Sequence, residues 1–433
     1  MQLLLLVLLF FACSTATVAS DAAPKLVRVP VFFVTDRNQA PTPKWGGVDF
    51  GPHRKYLTDC KHDPFMGTAY CVIENLEGKQ LTPTLKALGW TEAEPKDKVT
   101  DVCATAFTGE GFRGIEKQLY DNVHKQALLT DDKTFLVFAH GYKYVFKRAL
   151  FTAAKLAYYE ERPLILYSWP SVGRLRSYSS DENNVEWSQD HFNDMVVQIE
   201  KVCTDDPSVH VRMLAHSMGN RLLIRAVPLL REHKCFTEFD MICPDVDDGL
   251  VQHYASRYMS TNGTAEIRLY MSEKDKALAF SQLIHGGYNR FGECADALGG
   301  VVTQVLTIGQ AQANPHETGA EDREFQEVLK KNAARMQTID FTNIDLGWMG
   351  HSIPAKLIAS MTYTNGPPPG IKLVKQDSGQ RGKASNYFSK ITHTLTPPTG
   401  EKEELHAGQL LRVVKVNTST DKIAQKTAVK TAQ

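Results

Sequence analysis

The sequence lacks any run of about 20 consecutive apolar residues, the length a bilayer-spanning helix needs, so no integral membrane segment is expected. It also lacks a charge excess. Lys plus Arg and Asp plus Glu each total 49, which singles out neither nucleic acid nor any polyanion as a partner. There is no Cys-x-x-Cys pair and no closely spaced pair of histidines, so a zinc site is not expected, and no metal or cofactor is called for. No internal repeat of solenoid type is present either. What remains is an ordinary globular composition, 42% hydrophobic and 23% charged over 433 residues, enough for one large α/β domain with decorations.

The N-terminus has no Lys or Arg before its apolar run, Leu3 to Ala12, which is followed by small residues ending Val18-Ala19-Ser20. The pattern is that of a signal peptide over residues 1–20 and predicts a secreted or extracytoplasmic protein. Cys13 is a poor lipid-attachment site because Phe11 is bulky where a small residue is needed. The other seven cysteines cannot all pair within a monomer. In a compartment that permits disulfides, the nearest pairs are Cys60 with Cys71 and Cys235 with Cys243. Asn262-Gly-Thr264 and Asn417-Thr-Ser419 match the N-glycosylation triplet, which matters only where such sites are exposed and the source is eukaryotic. Oligomeric state is not legible.

Leu26 to Thr35 is β-branched and apolar and predicts an early strand, ended by Asp36-Arg37-Asn38. Residues 39–108 are rich in Pro, Gly and charge and read as loops and short strands, including Ala69 to Ile73; Phe112, Ile115, Leu119 and Val123 then recur at helical spacing. From residue 134 apolar runs alternate with helical patterns, as in a mostly parallel sheet covered on both faces. The predicted strands are Thr134 to Ala139, Pro163 to Ser168, Val211 to His216, Asp240 to Cys243, Glu266 to Met271 and Thr338 to Ile344. Between them, Phe146, Leu150, Ala153 and Ala157 mark one helix, and Val185 through Val202 mark another, opened by a Ser179-x-x-Glu182 capping box. A third carries Leu222, Leu223, Ala226 and Leu230, with Pro228 kinking or shortening it. The organisation is therefore a signal peptide (1–20), N-terminal strands, loops and a helix packing on the core (21–130), the α/β core (131–365) and a polar C-terminal extension (366–433). That extension is weakly basic and reads as a solvated tail or linker.

Ala215-His216-Ser217-Met218-Gly219 sits where an apolar strand gives way to a helix, the setting of a nucleophile elbow. The turn needs small neighbours, a need Gly219 meets fully and Ala215 in part. A serine hydroxyl becomes nucleophilic only when a base takes its proton, and in this fold the chain order is Ser, acid, His. Asp275 follows the strand Glu266 to Met271, and His351 follows the last core strand. Asp245 is the rival acid, and His285 and His316 are the rival bases. His140-Gly141-Tyr142 follows the strand Thr134 to Ala139, which places the backbone N–H groups of Tyr142 and Met218 as oxyanion donors. His140 itself reads as a structural hydrogen-bonder. Tyr144, Trp169 and Tyr178 are expected to line an apolar substrate pocket, and the short connection between Asp248 and Ala265 favours an open site, which suits soluble esters better than interfacial lipids.

Val31-Phe-Phe-Val-Thr-Asp-Arg-Asn38, His140-Gly-Tyr142, Ser168-Trp-Pro-Ser-Val-Gly173, Ala215-His-Ser-Met-Gly-Asn220, Asp245-Val-Asp247 and His351-Ser352 together resemble an uncharacterised esterase/lipase-like branch of the α/β-hydrolases, over about residues 30–355. The resemblance implies an α/β-hydrolase fold, a Ser217, Asp275, His351 triad and hydrolysis, in a family whose physiological substrates are largely unassigned. The residues themselves point to a small-molecule ester or acyl substrate, cleaved through an acyl-enzyme without a cofactor. A thioesterase, amidase or acyltransferase would use the same residues. The alternative from a different class is a hydrolase-fold protein that has lost catalysis and acts as an extracellular binding module.

Overall fold

The computed structural model describes residues 23–415 apart from 41–48, 56–63, 100–101, 108–116, 118, 231–233, 252, 255–264, 294–335, 343, 348, 363–370 and 376–408. The predicted signal peptide, Cys60, Cys294, His316, the start of the predicted helix at Phe112 and both glycosylation triplets lie at least partly outside these residues.

The apolar runs form strands, and strands whose residues are buried on both faces need helices on both sides. The strands are β1 (Leu26–Thr35), β2 (Arg37–Gln39), β3 (Phe50–Arg54), β4 (Phe65–Glu74), β5 (Thr91–Glu92), β6 (Val102–Phe107), β7 (Thr134–Ala139), β8 (Leu164–Ser168), β9 (His210–His216), β10 (Phe236–Ile242), β11 (Glu266–Met271), β12 (Met336–Asp340), β13 (Ile371–Lys375) and β14 (Gln409–Lys415). Among the described residues twelve of them make one sheet in the order β13-β14-β12-β11-β10-β9-β7-β8-β1-β4-β6, with β5 beside β1. From β1 through β8, β7, β9, β10, β11 and β12 to β14 every pairing is parallel. The flanks at β4, β6 and β13 are antiparallel. The fold is an α/β-hydrolase fold with a mostly parallel central sheet.

Helices α1 (Phe146–Glu160), α2 (Tyr178–Trp187), α3 (Gln189–Asp205), α4 (Asn220–Leu230), α5 (Lys276–Ile284) and α6 (Ala355–Thr362) follow the strands. α1 and α6 close one face of the sheet over Phe33, Phe138, Leu166 and Leu214. α2, α3 and α4 close the other, over Val137, Ile165, Met213 and Ala215.

Several expectations are revised. The helix expected around Val185 to Val202 is two, broken at Ser188. It opens at Tyr178 with Ser177 as N-cap and no side-chain cap bond, so Ser179 lies inside the first turn and the capping box does not form. β10 starts at Phe236, four residues early, because Thr237 and Glu238 are half-buried polar positions within it. Pro228 sits near the C-terminal end of α4, which continues to Leu230. The C-terminal extension supplies β13 and β14, with β14 parallel to β12, so this part of the chain enlarges the sheet.

Neither expected disulfide is present: Cys71, Cys235 and Cys243 are free and buried, as is Cys203. Cys235 and Cys243 flank the seven-residue β10 on opposite sides, roughly 26 Å apart at about 3.3 Å per residue, whereas bridged Cα atoms lie within about 7 Å. Cys71 points into the core from β4.

One buried feature is ionic. Arg212 of β9 pairs with Glu160 of α1 at 2.8 Å and with Asp240 of β10, and all three side chains are almost completely buried. Arg268 of β11 extends the ladder to Glu238 and Glu266. Burial pushes the Glu160 carboxyl above its ordinary range, opposed by Arg212. Removing one partner leaves buried charge uncompensated, so Arg212→Met should destabilise the fold by about 3–5 kcal/mol, measured by urea denaturation. A loss under about 1 kcal/mol would show that the two carboxylates take up protons at little cost.

Candidate active site

Loops from seven parallel strands, β1 and β7 to β12, meet at the carboxyl edge of the sheet, where open α/β sheets place their binding crevices. Ser217 follows β9 and opens the turn leading to α4 with φ 52°, a left-handed conformation that a side-chain-bearing residue adopts only when its surroundings enforce it. Two glycines make this possible by close approach. A Cβ on Gly219 would lie 2.5 Å from the His140 carbonyl oxygen, and one on Gly141 would lie 2.7 Å from the Ser217 Cβ. Asn220 then donates its side-chain amide to the carbonyl oxygens of Ala215 and Ser217, both at 3.0 Å, and ties the turn shut.

The structure brings together Ser217, His351 and Asp275. His351 Nε2 is 2.8 Å from Ser217 Oγ, and His351 Nδ1 is 2.6 Å from Asp275 Oδ2. Asp275 is the N-cap of α5, where its Oδ1 accepts the N–H groups of Ala277 and Leu278 at 3.0 Å. One carboxylate oxygen is thus fixed by a helix start and the other faces the imidazole. The His351 loop is stitched to the Asp275 loop, because Lys276 N–H donates to Met349 O at 2.9 Å. Gly350 (φ 67°) lies so close that a Cβ would be 2.7 Å from Lys274 O.

The rivals are engaged elsewhere. Asp245 accepts hydrogen bonds from Ser281 Oγ at 2.6 Å and from the Tyr178 hydroxyl, beside Arg290. His285 bonds Glu182 Oε1 at 2.6 Å and Ser281 O at 2.7 Å.

The segment expected to supply the oxyanion donors is braced from beneath. His140 is fully buried, with Nδ1 2.8 Å from Gly141 O and Nε2 3.2 Å from the Arg37 guanidinium. A neutral ring with its proton on Nδ1 satisfies both, and burial next to Arg37 holds its pKa well below the usual value. Arg37, also fully buried, donates to Ser168 Oγ at 2.9 Å, Ser171 O at 3.0 Å and Tyr144 O at 2.7 Å, so a single guanidinium gathers the loops after β1, β7 and β8. Asp181 adds bonds to Ser171 Oγ and the N–H groups of Val172 and Lys143. Met218 stands in the first turn leading into α4, where N–H groups have no intrahelical acceptor.

The aromatic residues expected to line a pocket belong largely to this bracing. Trp169 is fully buried, stacks on His140 and donates its indole N–H to His140 O at 2.7 Å. Tyr144 stacks on the other side of His140 beneath the Arg148 guanidinium, and only 5% of it is exposed. Tyr178 spends its hydroxyl on Asp245 and packs edge-on against Tyr142.

Arg37, His216 and Cys243 are contributors the sequence reading gives no role. His216 Nε2 is 2.9 Å from His351 O, and burial pushes its pKa down to about 3, so the neutral ring donates to that carbonyl and steadies the His351 loop. Cys243 (φ 43°) bonds Asp275 through its thiol, which burial beside that carboxylate keeps protonated. The ligand atoms of Cys243, Asp275 and His351 lie within 4.8 Å of one another, as a thiophilic cation would require. In their present arrangement they are occupied with mutual hydrogen bonds.

The sequence matches the family described as "Alpha/beta hydrolase of unknown function (DUF900)" over residues 115–340, just over half of the chain. No curated protein and no solved structure matches it.

Two buried neutral histidines at one site give a stability signature. Because His140 and His216 have pKa values below the unfolded 6.5, the unfolded chain binds more protons than the native one at acid pH. Stability is therefore full above about pH 6.5 and falls as pH drops toward 3, by up to about 1.4 kcal/mol per pH unit for each histidine. Thermal unfolding as a function of pH should show this slope, and His216→Asn should make it shallower; an unchanged slope in that variant would exclude His216 as a source.

Proposed function

We propose that this chain, which belongs to the α/β-hydrolase family of unknown function, is a serine hydrolase that cleaves carboxylic esters through an acyl-enzyme. The observation that carries this reading is the continuous hydrogen-bonded path from Asp275 through His351 to Ser217, with the serine on a strained turn.

In this reading His351 Nε2 accepts the Ser217 proton as Oγ attacks the ester carbonyl carbon. The carbonyl π electrons move to oxygen, and the oxyanion is met by the backbone N–H groups of Tyr142 and Met218; one such donor is typically worth about 10²- to 10³-fold in rate. His351 returns the proton to the leaving alcohol as the C–O bond breaks. Water, deprotonated by His351, then attacks the acyl-enzyme and the acid departs, regenerating Ser217. Asp275 holds the Nδ1–H tautomer and stabilises the imidazolium, and its own position rests on the α5 N-terminus and the Cys243 thiol. A thioesterase, amidase or acyltransferase would use the same three residues with a different leaving group or acceptor.

The test is covalent capture by a fluorophosphonate probe followed by turnover of aryl esters of graded acyl length. Wild type should be labelled, and Ser217→Ala should not. Ser217→Ala or His351→Ala should lower kcat by about 10⁴- to 10⁶-fold and Asp275→Asn by about 10⁴-fold. Absence of labelling in folded wild type would favour a non-catalytic binding module. Gly141→Ala, whose methyl would press on His216 and Ser217, should reduce kcat at least tenfold while KM changes less, as expected when transition-state contacts are lost.

A further inference from the structure

A surface helix normally turns its apolar side chains inward and its polar ones to water. On α5 much of this is reversed. Ser281 faces inward to Asp245, and the next residue on that side, His285, faces Glu182. The outward face carries Phe280, Leu283 and Ile284, spaced three and four residues apart, with Leu283 75% exposed. Beyond the helix Tyr288 is 70% exposed, and across the site Leu175 is 65% exposed.

These side chains belong to one rim. α5 is capped by Asp275 and, with His285 at its C-terminal end, packs through Ser281 on Tyr178, Tyr178 packs on Tyr142, and the Tyr142 hydroxyl donates to the backbone carbonyl oxygens of Arg174 and Leu175. α5 follows β11 and Leu175 follows β8, so both stand at the carboxyl edge of the sheet, on the side where Ser217 lies. Desolvating such a surface is favourable in proportion to the apolar area removed from water.

The charges around the rim indicate what covers it. Arg174 and Arg176 flank Leu175, Lys143 follows Tyr142 and Lys274 precedes α5, and all four are exposed, in a protein whose formal net charge is zero. Of the nearby acids, Glu182 and Glu186 are turned to Arg221 and Arg225, and Glu273 at the start of α5 is exposed. One nine-residue helix and one leucine fall well short of the roughly 20–30 residues a side of a stable protein interface. A shallow apolar ridge with a tyrosine beside it and a basic border matches an anionic lipid surface.

We propose that the rim formed by α5 and the Leu175 turn docks the protein on an anionic lipid bilayer, with Phe280, Leu283 and Ile284 entering the interface. The docking claim stands by itself. Its extension, that esters of membrane lipids are the substrate class, rests on the serine-hydrolase reading.

The experiment is co-sedimentation of the full chain carrying Ser217→Ala with vesicles of phosphatidylcholine, alone or mixed with phosphatidylglycerol. Binding to the mixed vesicles, weakened by salt, is expected. Leu283→Glu with Ile284→Glu should weaken it at least tenfold, and Arg174→Glu with Arg176→Glu about tenfold. The same substitutions in the protein with Ser217 intact should leave turnover of a soluble aryl ester unchanged. Should the double glutamate variant not fold, Leu283→Ser should still bind more weakly than the parent. Sedimentation of wild type with neither vesicle, equal binding by the glutamate variants, or a dimer that those variants dissociate would each overturn docking. Vesicle binding without ester turnover would leave docking standing and remove the serine-hydrolase reading. Turnover of soluble esters without vesicle binding would do the reverse.

Discussion

The site depends on one backbone angle. Ser217 must sit at φ 52° for its hydroxyl to leave the strand direction and meet His351, and a serine does not hold that conformation without help. It is held because the chain around it has no room for alternatives: Gly219 lies against the His140 carbonyl, Gly141 lies against Ser217, and Asn220 bonds the carbonyl oxygens on either side of the bend. The β7 and β9 loops therefore form one packed unit, and the geometry of any group facing Ser217 from residues 140–142 is fixed by the same contacts that strain the serine.

Beneath that unit lies a second layer that is polar, buried and paired. Arg37 reaches three loops with one planar cation, His140 is sandwiched between Tyr144 and Trp169, and Asp181 collects the N–H groups its carboxylate can reach. Burying such groups is costly unless each finds partners. Here the partners are loop carbonyls that would otherwise be free to move. The rigidity of the crevice thus comes from satisfied polar groups, whereas that of the sheet below comes from apolar packing on both faces.

Much of this was legible in the sequence, for reasons that can be named. Parallel strands buried on both faces read as unbroken apolar runs, which makes β1, β7, β8, β9 and β11 visible within a residue or two. Ser217, Asp275 and His351 could be picked out because each follows such a run in the order the fold imposes. What depends on tertiary contact could not be read. Arg37 looks like a strand terminator until its five-donor fork meets the carbonyls after β7 and β8. Cys243 looks like half of a disulfide until the length of β10 separates it from Cys235. Trp169, Tyr144 and Tyr178 are aromatic residues near the site, and only packing decides that they brace loops more than they face a substrate. β14, with Leu410, Leu411, Val413 and Val414, carries a short apolar run that the polar composition around it hides.

The stitch between the Asp275 and His351 loops bears on how acid and base are brought together. Asp275 and His351 are 76 residues apart in sequence, yet Lys276 N–H to Met349 O and the close approach at Gly350 clamp the two loops at their tips. Loop-closure entropy grows only with the logarithm of length. The length of the connection therefore adds little to the cost of their meeting, and the direction of the imidazole is set at the two loop tips, which hold the pair in register as one clamp.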